Sequence, residues 1–586
     1  MTQRDADASP SASAPPWEQS PPVPEGNSNP DFGHHEQAEL SVDLADPALT
    51  SGGVRARTLA ERLPLPVASL LIAIALWFAY LRESHTLPVN SDGAAQALQA
   101  WDMLHGNLLL HGWSLSDVSF YTTELPEYML VEVIHGLNAD VVHLAAATTY
   151  TLLVVLAALL AKGRATGRQA AIRILLAAGI ALAPQVGAGS YILLLSPDHV
   201  GTAVVMLAIL LVIDRAGRRM WVPVVVGLLL TGLLIADGIA LYTGVAPLLV
   251  VCGVRAYRDI VVRRQPLPES AFELALGIAA AVAAVLSAAI LAILHAHGGF
   301  TLWKPTPVFA PVSAASSNAA FGLEGIAALF GFDFSGMPFG HAALIAMSHL
   351  AGAAVALGAV WVGLRGFLRE KNLMIQLLVA GVVISLAGYL LSTSAAGALQ
   401  AREMAAILPF SAVLAARLFA DKIAAARLTP LLTAGLLVYC VTLGYYATRP
   451  VYPAADTRLT AWLARHHYTY GLAGYWDANV QTLSSGARVE VRPVCFRDNR
   501  FTTDNWESQA SWFDSGLHHA NFLVMNPANS YGDGSVGPCS APTYRQVVAR
   551  FGKPAHIYAV GRDQVLVWNS NLLTRVGKPA GLPPAS

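Results

Sequence analysis

The stretch "LPVASLLIAIALWFAYLRESHTLPVNSDGAAQALQAWDML", residues 65–104, decides the class of this protein. Its first half is an apolar run that approaches the roughly 20 residues needed to cross a hydrocarbon core about 30 Å thick. Its second half becomes polar near Asn90 and carries an acidic residue, Asp92, soon after the run ends. The sequence therefore places a carboxylate close to the point where the chain leaves a membrane.

The composition of the whole chain agrees with a membrane protein. Of its 586 residues, 54% are hydrophobic and only 13% are charged, whereas a soluble globular protein carries about a quarter charged residues. The formal net charge of -1 gives no overall field that would attract nucleic acid. The four cysteines contain no CxxC pair and no Cys/His zinc spacing, so any metal would be held by oxygen and imidazole.

Apolar runs recur along the chain and predict an α-helical polytopic membrane protein with about 11 transmembrane helices. These runs lie near residues 65–82, 140–161, 172–188, 200–214, 221–237, 239–255, 272–295, 342–364, 373–392, 403–419 and 429–447. Residues 61–449 are thus predicted to form a transmembrane domain. The Pro- and Ser-rich residues 1–60 are predicted to form a disordered tail, because they lack an apolar period.

Lysine and arginine mark one side of the membrane. They fall in every second loop, at Arg55, Arg57 and Arg62; Lys162, Arg164, Arg168 and Arg173; Arg215, Arg218 and Arg219; Arg255, Arg258, Arg263 and Arg264; Arg365, Arg369 and Lys371; and Lys422 and Arg427. Basic loops are cytoplasmic. The amino terminus is therefore predicted in the cytoplasm, and an odd number of crossings places residues 450–586 outside.

Residues 450–586 are predicted to form a small extracytoplasmic α/β domain, because short β-like runs alternate there with polar and helical segments. Cys495 and Cys539 both fall in this domain, and a disulfide between them is predicted in an oxidising compartment. The segment "GYWDA", Gly474–Ala478, suits either core packing or stacking on a sugar.

Ionisable residues gather on the outer side. The long first outer loop, 83–139, holds Asp92 and Glu124, and a second long outer loop spans 297–341. Asp198 and His199 lie at the mouth of the fourth helix, and Arg402 lies between the ninth and tenth. Charged groups at membrane depth are costly unless they are paired, solvated or functional. These residues would open toward one outer cavity, so the sequence predicts the site there.

This arrangement resembles the GT-C superfamily of integral membrane glycosyltransferases, over about residues 60–450. The superfamily uses polyprenyl-phosphate-linked sugars and includes protein O-mannosyltransferases, oligosaccharyltransferases and lipid A aminoarabinose transferases. Asp92 matches its first-loop aspartate, the expected general base, and Glu124 in "ELPEY" matches an acidic residue of the mannosyl and aminoarabinose branch. Asp198 matches its second acidic position, and Arg402 resembles the arginine that holds the lipid phosphate.

The Ala-, Arg- and Gly-rich, Lys-poor composition is typical of an actinobacterial protein.

The chemistry of sugar transfer requires the same residue types. One carboxylate takes the acceptor proton, for which Asp92 is the candidate. A fixed cation stabilises the departing phosphate, and Arg402 is preferred for this role, with Lys304 in reserve. A single displacement would invert the anomeric carbon. Asp198 and His199 form a second acidic site that leaves room for a divalent cation, Mg²⁺ or Mn²⁺.

Two departures from the superfamily pattern stand out. Asp92 lies between Ser91 and Gly93 without a second carboxylate, and the second site reads Asp-His instead of a carboxylate pair. No motif similar to "WWDYG" is present, which disfavours the oligosaccharyltransferase branch.

The implied partners are a polyprenyl-phosphate sugar donor, membrane lipid, and an envelope glycan, lipid or protein acceptor, with no nucleic acid. Two other functions stay open. A transporter or flippase could have the same number of helices, although no internal repeat is evident. A non-catalytic envelope assembly protein could instead act through its outer domain.

Overall fold

The computed structural model describes residues 65–182, 188–303, 308–452, 455–497, 500–526, 539–540 and 542–577. The predicted tail 1–60, the first arginine cluster and Lys304 lie outside these residues. By its internal contacts the chain divides into two units, Met1–Ile72 and Ala73–Ser586. Every contact described below lies within the second unit.

Helices dominate the first three quarters of the described chain, and each of the eleven predicted apolar runs overlaps a helix, although residues 183–187 of the run near 172–188 lie outside the described residues. The helices are α1 (Leu65–Ser84), α2 (Ser91–Leu104), α3 (Glu124–His135), α4 (Asp140–Lys162), α5 (Gly167–Ala181), α6 (Ala188–Leu194), α7 (Asp198–Ala216), α8 (Val222–Ala236), α9 (Ala246–Tyr257), α10 (Leu267–Ala296), α11 (Ala315–Leu329), α12 (His341–Gly366), α13 (Leu373–Leu391), α14 (Ile407–Ala425) and α15 (Thr429–Ala447). A π-helical turn, Leu241–Val245, precedes α9.

Seven of the described helices are long and apolar enough to cross a membrane. They are Val67–Ser84 within α1, α4, α7, α10, α12, α13 and α15. Helix α8, with 15 residues, is apolar but shorter. On α10 the side chains of Ile278, Val282 and Val285 are 63%, 54% and 72% exposed, and their spacing puts them on one helical face. An exposed apolar face of this kind suits lipid and identifies a multi-pass membrane protein.

Short elements lie between these helices, in the segments predicted as outer loops. Helices α2 and α3 form the predicted first loop, α6 precedes α7, and α11 occupies the predicted loop 297–341. A 3₁₀-helix, Ala398–Met404, follows α13 and carries Arg402. Of the predicted site residues that the structure describes, Asp92, Glu124 and Arg402 lie on short helices, and Asp198 and His199 begin the long helix α7.

The last part of the described chain is an α/β region. Its helices are α16 (Ala455–Arg465), α17 (Tyr475–Ser484) and α18 (Tyr544–Phe551). Its six-stranded sheet contains β3 (Tyr470–Ala473), β4 (Glu490–Arg497), β5 (Arg500–Thr503), β7 (Phe522–Met525), β8 (His556–Val560) and β9 (Asp563–Val567), in the order β5-β4-β3-β7-β9-β8. Strand β3 pairs in parallel with β4 and β7, and the remaining pairs are antiparallel. The predicted fold class, a helical membrane protein with a C-terminal α/β region, is confirmed.

A second, small sheet joins three distant parts of the chain. Strand β1 (Trp113–Leu115) pairs in parallel with β2 (Thr301–Leu302) and antiparallel with β6 (Ser508–Gln509). A shared apolar core lies beside it, in which Val480, Leu483 and Trp512 pack with residues of α2, α3 and β1. The α/β region is thus anchored on the first long loop, and this contact brings it to the candidate site.

Candidate active site

Asp92 lies in the first turn of α2 with a side chain only 9% exposed. It does not cap the helix, since the Asn90 side chain accepts from the Gly93 N–H at 3.0 Å. Asp92 Oδ1 accepts from the Tyr475 hydroxyl at 2.7 Å, and Oδ2 accepts from Arg402 Nη1 at 3.4 Å. Because Asn90 satisfies the helix end, the Asp92 carboxylate is available for these more distant partners.

Asp198 lies at the start of α7 and faces the same arginine. Its Oδ2 accepts from Arg402 Nη1 at 3.1 Å and from Ser196 Oγ at 2.8 Å, while Oδ1 accepts from Gln96 Nε2 at 2.9 Å. The backbone of Asp198 has a φ of +35°, in the left-handed region that non-glycine residues rarely adopt. Strained backbone of this kind concentrates at functional sites.

Arg402 bridges the two carboxylates from the 3₁₀-helix that follows α13. Both ion pairs use one nitrogen, Nη1, and the Arg402 side chain is 31% exposed. Among the residues that the structure describes, none accepts from Arg402 Nε or Nη2. One end of the guanidinium is therefore anchored while its other donors stay available for an anion.

The residues that flank Asp92 explain why no second carboxylate is found there. Ser91 Oγ donates to the Tyr475 carbonyl at 2.5 Å, which ties α2 to the α/β region. A Cβ on Gly93 would lie 2.8 Å from Val142 Cγ1 on α4 and 3.2 Å from Ser196 Cβ. Gly93 therefore lets α2 pack closely on α4 and on the segment just before α7, which leads to Asp198.

Replacing Gly93 with alanine is therefore expected to separate these segments. Overpacking of this kind costs about 1–3 kcal/mol, and the displaced Asp92 should lose its contact with Arg402. Thermal unfolding in detergent and sugar-transfer assays would measure both effects. The matched control is Gly253→Ala, since a Cβ at Gly253 on α9 meets nothing within 4 Å. Equal behaviour of the two variants would contradict the close packing at Gly93.

Two residues of the α/β region reach the site and were not among the predicted site residues. Tyr475 begins α17, and its hydroxyl lies 2.7 Å from both Asp92 Oδ1 and Glu507 Oε2. Glu507, just before β6, is buried and has a φ of +47°. The motif "GYWDA" gave a sequence signal for Tyr475. Nothing in the sequence marked Glu507, because its position depends on the pairing of β6 with β1.

Burial shapes the protonation of the two carboxyls that contact Tyr475. It raises the pKa of Asp92 above its usual value, and the charge of Asp198 acts in the same direction, while Arg402 and the Tyr475 hydroxyl lower it. Burial raises the pKa of Glu507 well above its usual value, and the charge of Asp92 adds to this shift. Of these two groups, Asp92 is therefore the one whose ionised form is better stabilised by its neighbours.

His199 and Asp198 are adjacent in the sequence but have different partners. His199 Nδ1 lies 2.8 Å from Asp237 Oδ2, and the same carboxylate accepts from Thr202 Oγ1 at 2.5 Å. Asp237 ends α8 and is fully buried, and it is a further polar residue that the predicted site did not include.

The described residues do not bring three metal-ligating side chains together at the predicted second acidic site. In the described part of the chain, the only group of three close metal-ligating side chains is Cys495, Asp504 and Cys539, and its two cysteines are joined in a disulfide with a Cα–Cα distance of 5.4 Å. Between Asp92 and Asp198 the charge is supplied by the Arg402 guanidinium. Binding of Mg²⁺ or Mn²⁺ stays a prediction.

Glu124 starts α3 and lies apart from the arginine bridge. Its Oε2 accepts from the Thr123 hydroxyl, while Oε1 is buried without a partner among the described residues. A Cβ at Gly201 would overlap the Glu124 carboxyl, so this side chain packs directly on α7. In the described structure it has no hydrogen bond or ion pair with Asp92, Asp198 or Arg402, and its catalytic role stays a prediction.

The protein is thus a multi-pass membrane protein in which the carboxylates of Asp92 and Asp198 pair with Arg402, and the α/β region contacts this group through Tyr475. No family model matches the chain, and no curated protein matches it. The chain has 12% identity and a TM-score of 0.45 to the archaeal oligosaccharyltransferase AglB from Archaeoglobus fulgidus in complex with an inhibitory peptide and a dolichol-phosphate, covering 78% of this chain and 69% of that one. With ArnT from Cupriavidus metallidurans in the apo state, the identity is 14% and the TM-score 0.40, over 88% of this chain and 99% of that one.

A further structure of the Archaeoglobus fulgidus oligosaccharyltransferase, in complex with Zn and sulfate, has 13% identity and a TM-score of 0.46, and covers 78% of this chain and 68% of that one. These likenesses are low in both sequence and structure. The function proposed below therefore depends on the geometry of the site.

Proposed function

We propose that this protein is a glycosyltransferase that moves a sugar from a polyprenyl-phosphate donor to a hydroxyl or amine of an envelope acceptor. The site would lie at the outer face of the membrane, with the amino terminus cytoplasmic and the α/β region outside. One observation carries the proposal: Arg402 bridges Asp92 and Asp198, at the ends of helical segments that are far apart in the chain.

Asp92 is proposed as the general base. As the acceptor oxygen or nitrogen attacks the anomeric carbon, its proton passes to Asp92, and the bond from that carbon to the phosphate oxygen breaks. The electron pair leaves with the lipid phosphate. A raised pKa suits this role, because a base is most effective when its pKa lies near the working pH.

Arg402 is proposed to hold the donor phosphate through its open donors, Nε and Nη2. A planar guanidinium can bind a phosphate with two parallel hydrogen bonds while Nη1 stays on the carboxylates. Before the reaction, the single positive charge of Arg402 is shared between the carboxylates of Asp92 and Asp198. When Asp92 takes the proton it loses its charge, and more of the arginine's charge then acts on the leaving phosphate.

A single displacement with inversion is the stereochemical course that the site favours. Retention through a covalent intermediate would need a second, free carboxylate as nucleophile. Asp198 suits this role less well, because it is the more tightly held carboxylate: it accepts three hydrogen bonds, from Gln96, Ser196 and Arg402, whereas Asp92 accepts two. Asp198 is proposed instead to fix the position of the Arg402 side chain.

Donor binding and turnover test the proposal. Purified protein in lipid nanodiscs would be incubated with radiolabelled polyprenyl-phosphate pentoses and hexoses, followed by addition of envelope glycans, lipids and peptides. Saturable donor binding and acceptor-dependent release of polyprenyl phosphate are expected. Absence of binding across the panel would reject the transferase and favour a transporter or an assembly protein.

A further inference from the structure

The hydroxyl of Tyr475 lies between two carboxyl groups. It is 2.7 Å from Asp92 Oδ1 on one side and 2.7 Å from Glu507 Oε2 on the other. As whole residues, Asp92 and Glu507 are only 7% and 3% exposed, so water does not readily replace either contact. The three groups form a buried chain of oxygens that links α2 of the membrane part to α17 and the segment before β6.

The number of protons in this chain follows from its geometry. A phenol has one proton and can donate in only one of the two contacts, so in the other contact it must accept. An ionised carboxylate has no proton to give. Burial raises the pKa of Tyr475 well above its usual value, so its own proton stays in place. Two short contacts therefore require one carboxyl to be protonated.

The surrounding charges decide which carboxyl holds that proton. Asp92 faces Arg402 through Oδ2, with Asp198 on the far side of the same guanidinium. In the described part of the chain, Glu507 makes no ion pair, and the nearby charges of Asp92 and Asp198 raise its pKa. The hydroxyls of Tyr475 and Ser116 lower that pKa, but burial outweighs them. An extra proton is therefore more stable on Glu507 than on Asp92.

We propose that Glu507 is a neutral carboxylic acid that donates to the Tyr475 oxygen, while the Tyr475 hydroxyl donates to Asp92 and holds it ionised and oriented. Both residues are positioning residues for the base, and this inference rests on the proposed function of Asp92. Tyr475 is itself fixed twice to α2, since its carbonyl accepts from Ser91 Oγ at 2.5 Å. The α/β region thereby completes the catalytic site.

The pH dependence of transfer tests the role of Tyr475. Activity is lost as the pH falls through the pKa of Asp92, because a protonated carboxyl cannot act as base. Tyr475→Phe removes a hydrogen bond that stabilises the ionised form, so the acid limb of kcat/KM should move to higher pH, with activity recovered at alkaline pH. Tyr470→Phe is the matched control, since Tyr470 donates to the Trp512 carbonyl outside the site. It should leave the limb unchanged.

Glu507→Gln tests whether Glu507 is neutral. A glutamine amide can donate to Tyr475 as the neutral acid does, so the acid limb should stay within about 0.3 pH units of wild type, a twofold change in proton affinity. The infrared difference spectrum between wild type and this variant should also show the loss of one C=O band of a carboxylic acid, a band that shifts in deuterated water. A limb displaced to lower pH, or an unchanged band, would mean that Glu507 is ionised and would overturn the inference.

These measurements separate the two proposals. If wild-type protein shows no sugar transfer, the proposed function fails, whereas the infrared band still reports the protonation of Glu507. If wild-type protein transfers sugar but Tyr475→Phe leaves the acid limb in place, only the inference on Tyr475 and Glu507 fails. Should Tyr475→Phe not fold, the Glu507→Gln spectrum decides.

Discussion

Replacing Asp92 with asparagine is expected to lower the rate of sugar transfer by about 10²–10⁴-fold, the usual contribution of a positioned general base. Asparagine has nearly the same shape, and its amide oxygen can still accept from Arg402 or Tyr475. Arg402 also keeps its second partner, Asp198, at 3.1 Å. The variant should therefore insert, fold and bind the donor close to normally while its kcat falls. Single-turnover assays with radiolabelled donor would measure that loss separately from donor affinity.

The control for this experiment is a partly buried aspartate outside the site. Asp214→Asn removes a carboxylate of similar burial that pairs with Arg417 at 2.9 Å, on the opposite end of α7 from Asp198. It should lower thermal stability, because Arg417 loses its ionised partner, but leave kcat close to the wild-type value. If Asp92→Asn retains the wild-type rate, Asp92 is not the base. If both variants lose the same activity, the loss reflects general destabilisation.

The sequence predicted the helices well because length and apolar composition alone decide whether a segment can cross a membrane. The run near 342–364 became α12, and the run near 429–447 became α15 with the same bounds. The run near 239–255 was less regular, since it begins with the π-helical turn Leu241–Val245 before α9. A local turn of this kind depends on packing and leaves no trace in hydropathy.

The site was only partly predictable. Asp92, Asp198 and Arg402 were recognisable because charged residues near membrane helices are costly and stand out against an apolar background. Tyr475 and Glu507 lie in the C-terminal α/β region, where such residues are common; the motif GYWDA drew attention to Tyr475, but nothing marked Glu507. Tyr475 contacts Asp92, and Glu507 contacts Tyr475. Glu507 is brought there by the pairing of β6 with β1, two strands almost 400 residues apart in the chain. Pairing at that distance is a tertiary property that one sequence does not reveal.

The second large effect is expected from Arg402→Ala. This change removes the cation that pairs with Asp92 and Asp198 and leaves two buried carboxylates without a counter-charge. Breaking a buried pair costs about 3–5 kcal/mol, and the lower end applies because the Arg402 side chain is 31% exposed. Donor binding should be lost as well, since the phosphate loses its fixed partner. Thermal unfolding in detergent and equilibrium binding of labelled donor would measure the two losses.

The pH dependence of that stability loss identifies its cause. Burial already raises the pKa of Asp92, and without the lowering effect of Arg402 it rises further above the unfolded value, so protonation favours the folded state. The deficit relative to wild type should be largest at neutral and alkaline pH and shrink as the pH falls through the folded-state pKa of Asp92. A deficit independent of pH would indicate lost packing instead of unpaired charge.

Arg402→Lys separates the two roles of the arginine. A lysine keeps the positive charge near the carboxylates, so most of the stability should return. Its single ammonium has no second edge with which to hold a phosphate while it pairs with Asp92 and Asp198. Transfer should therefore stay about 10²-fold below wild type, the cost of losing one positioned donor at a developing negative charge. Full recovery of transfer by lysine would show that charge alone is sufficient and that Nε and Nη2 do not bind the donor phosphate.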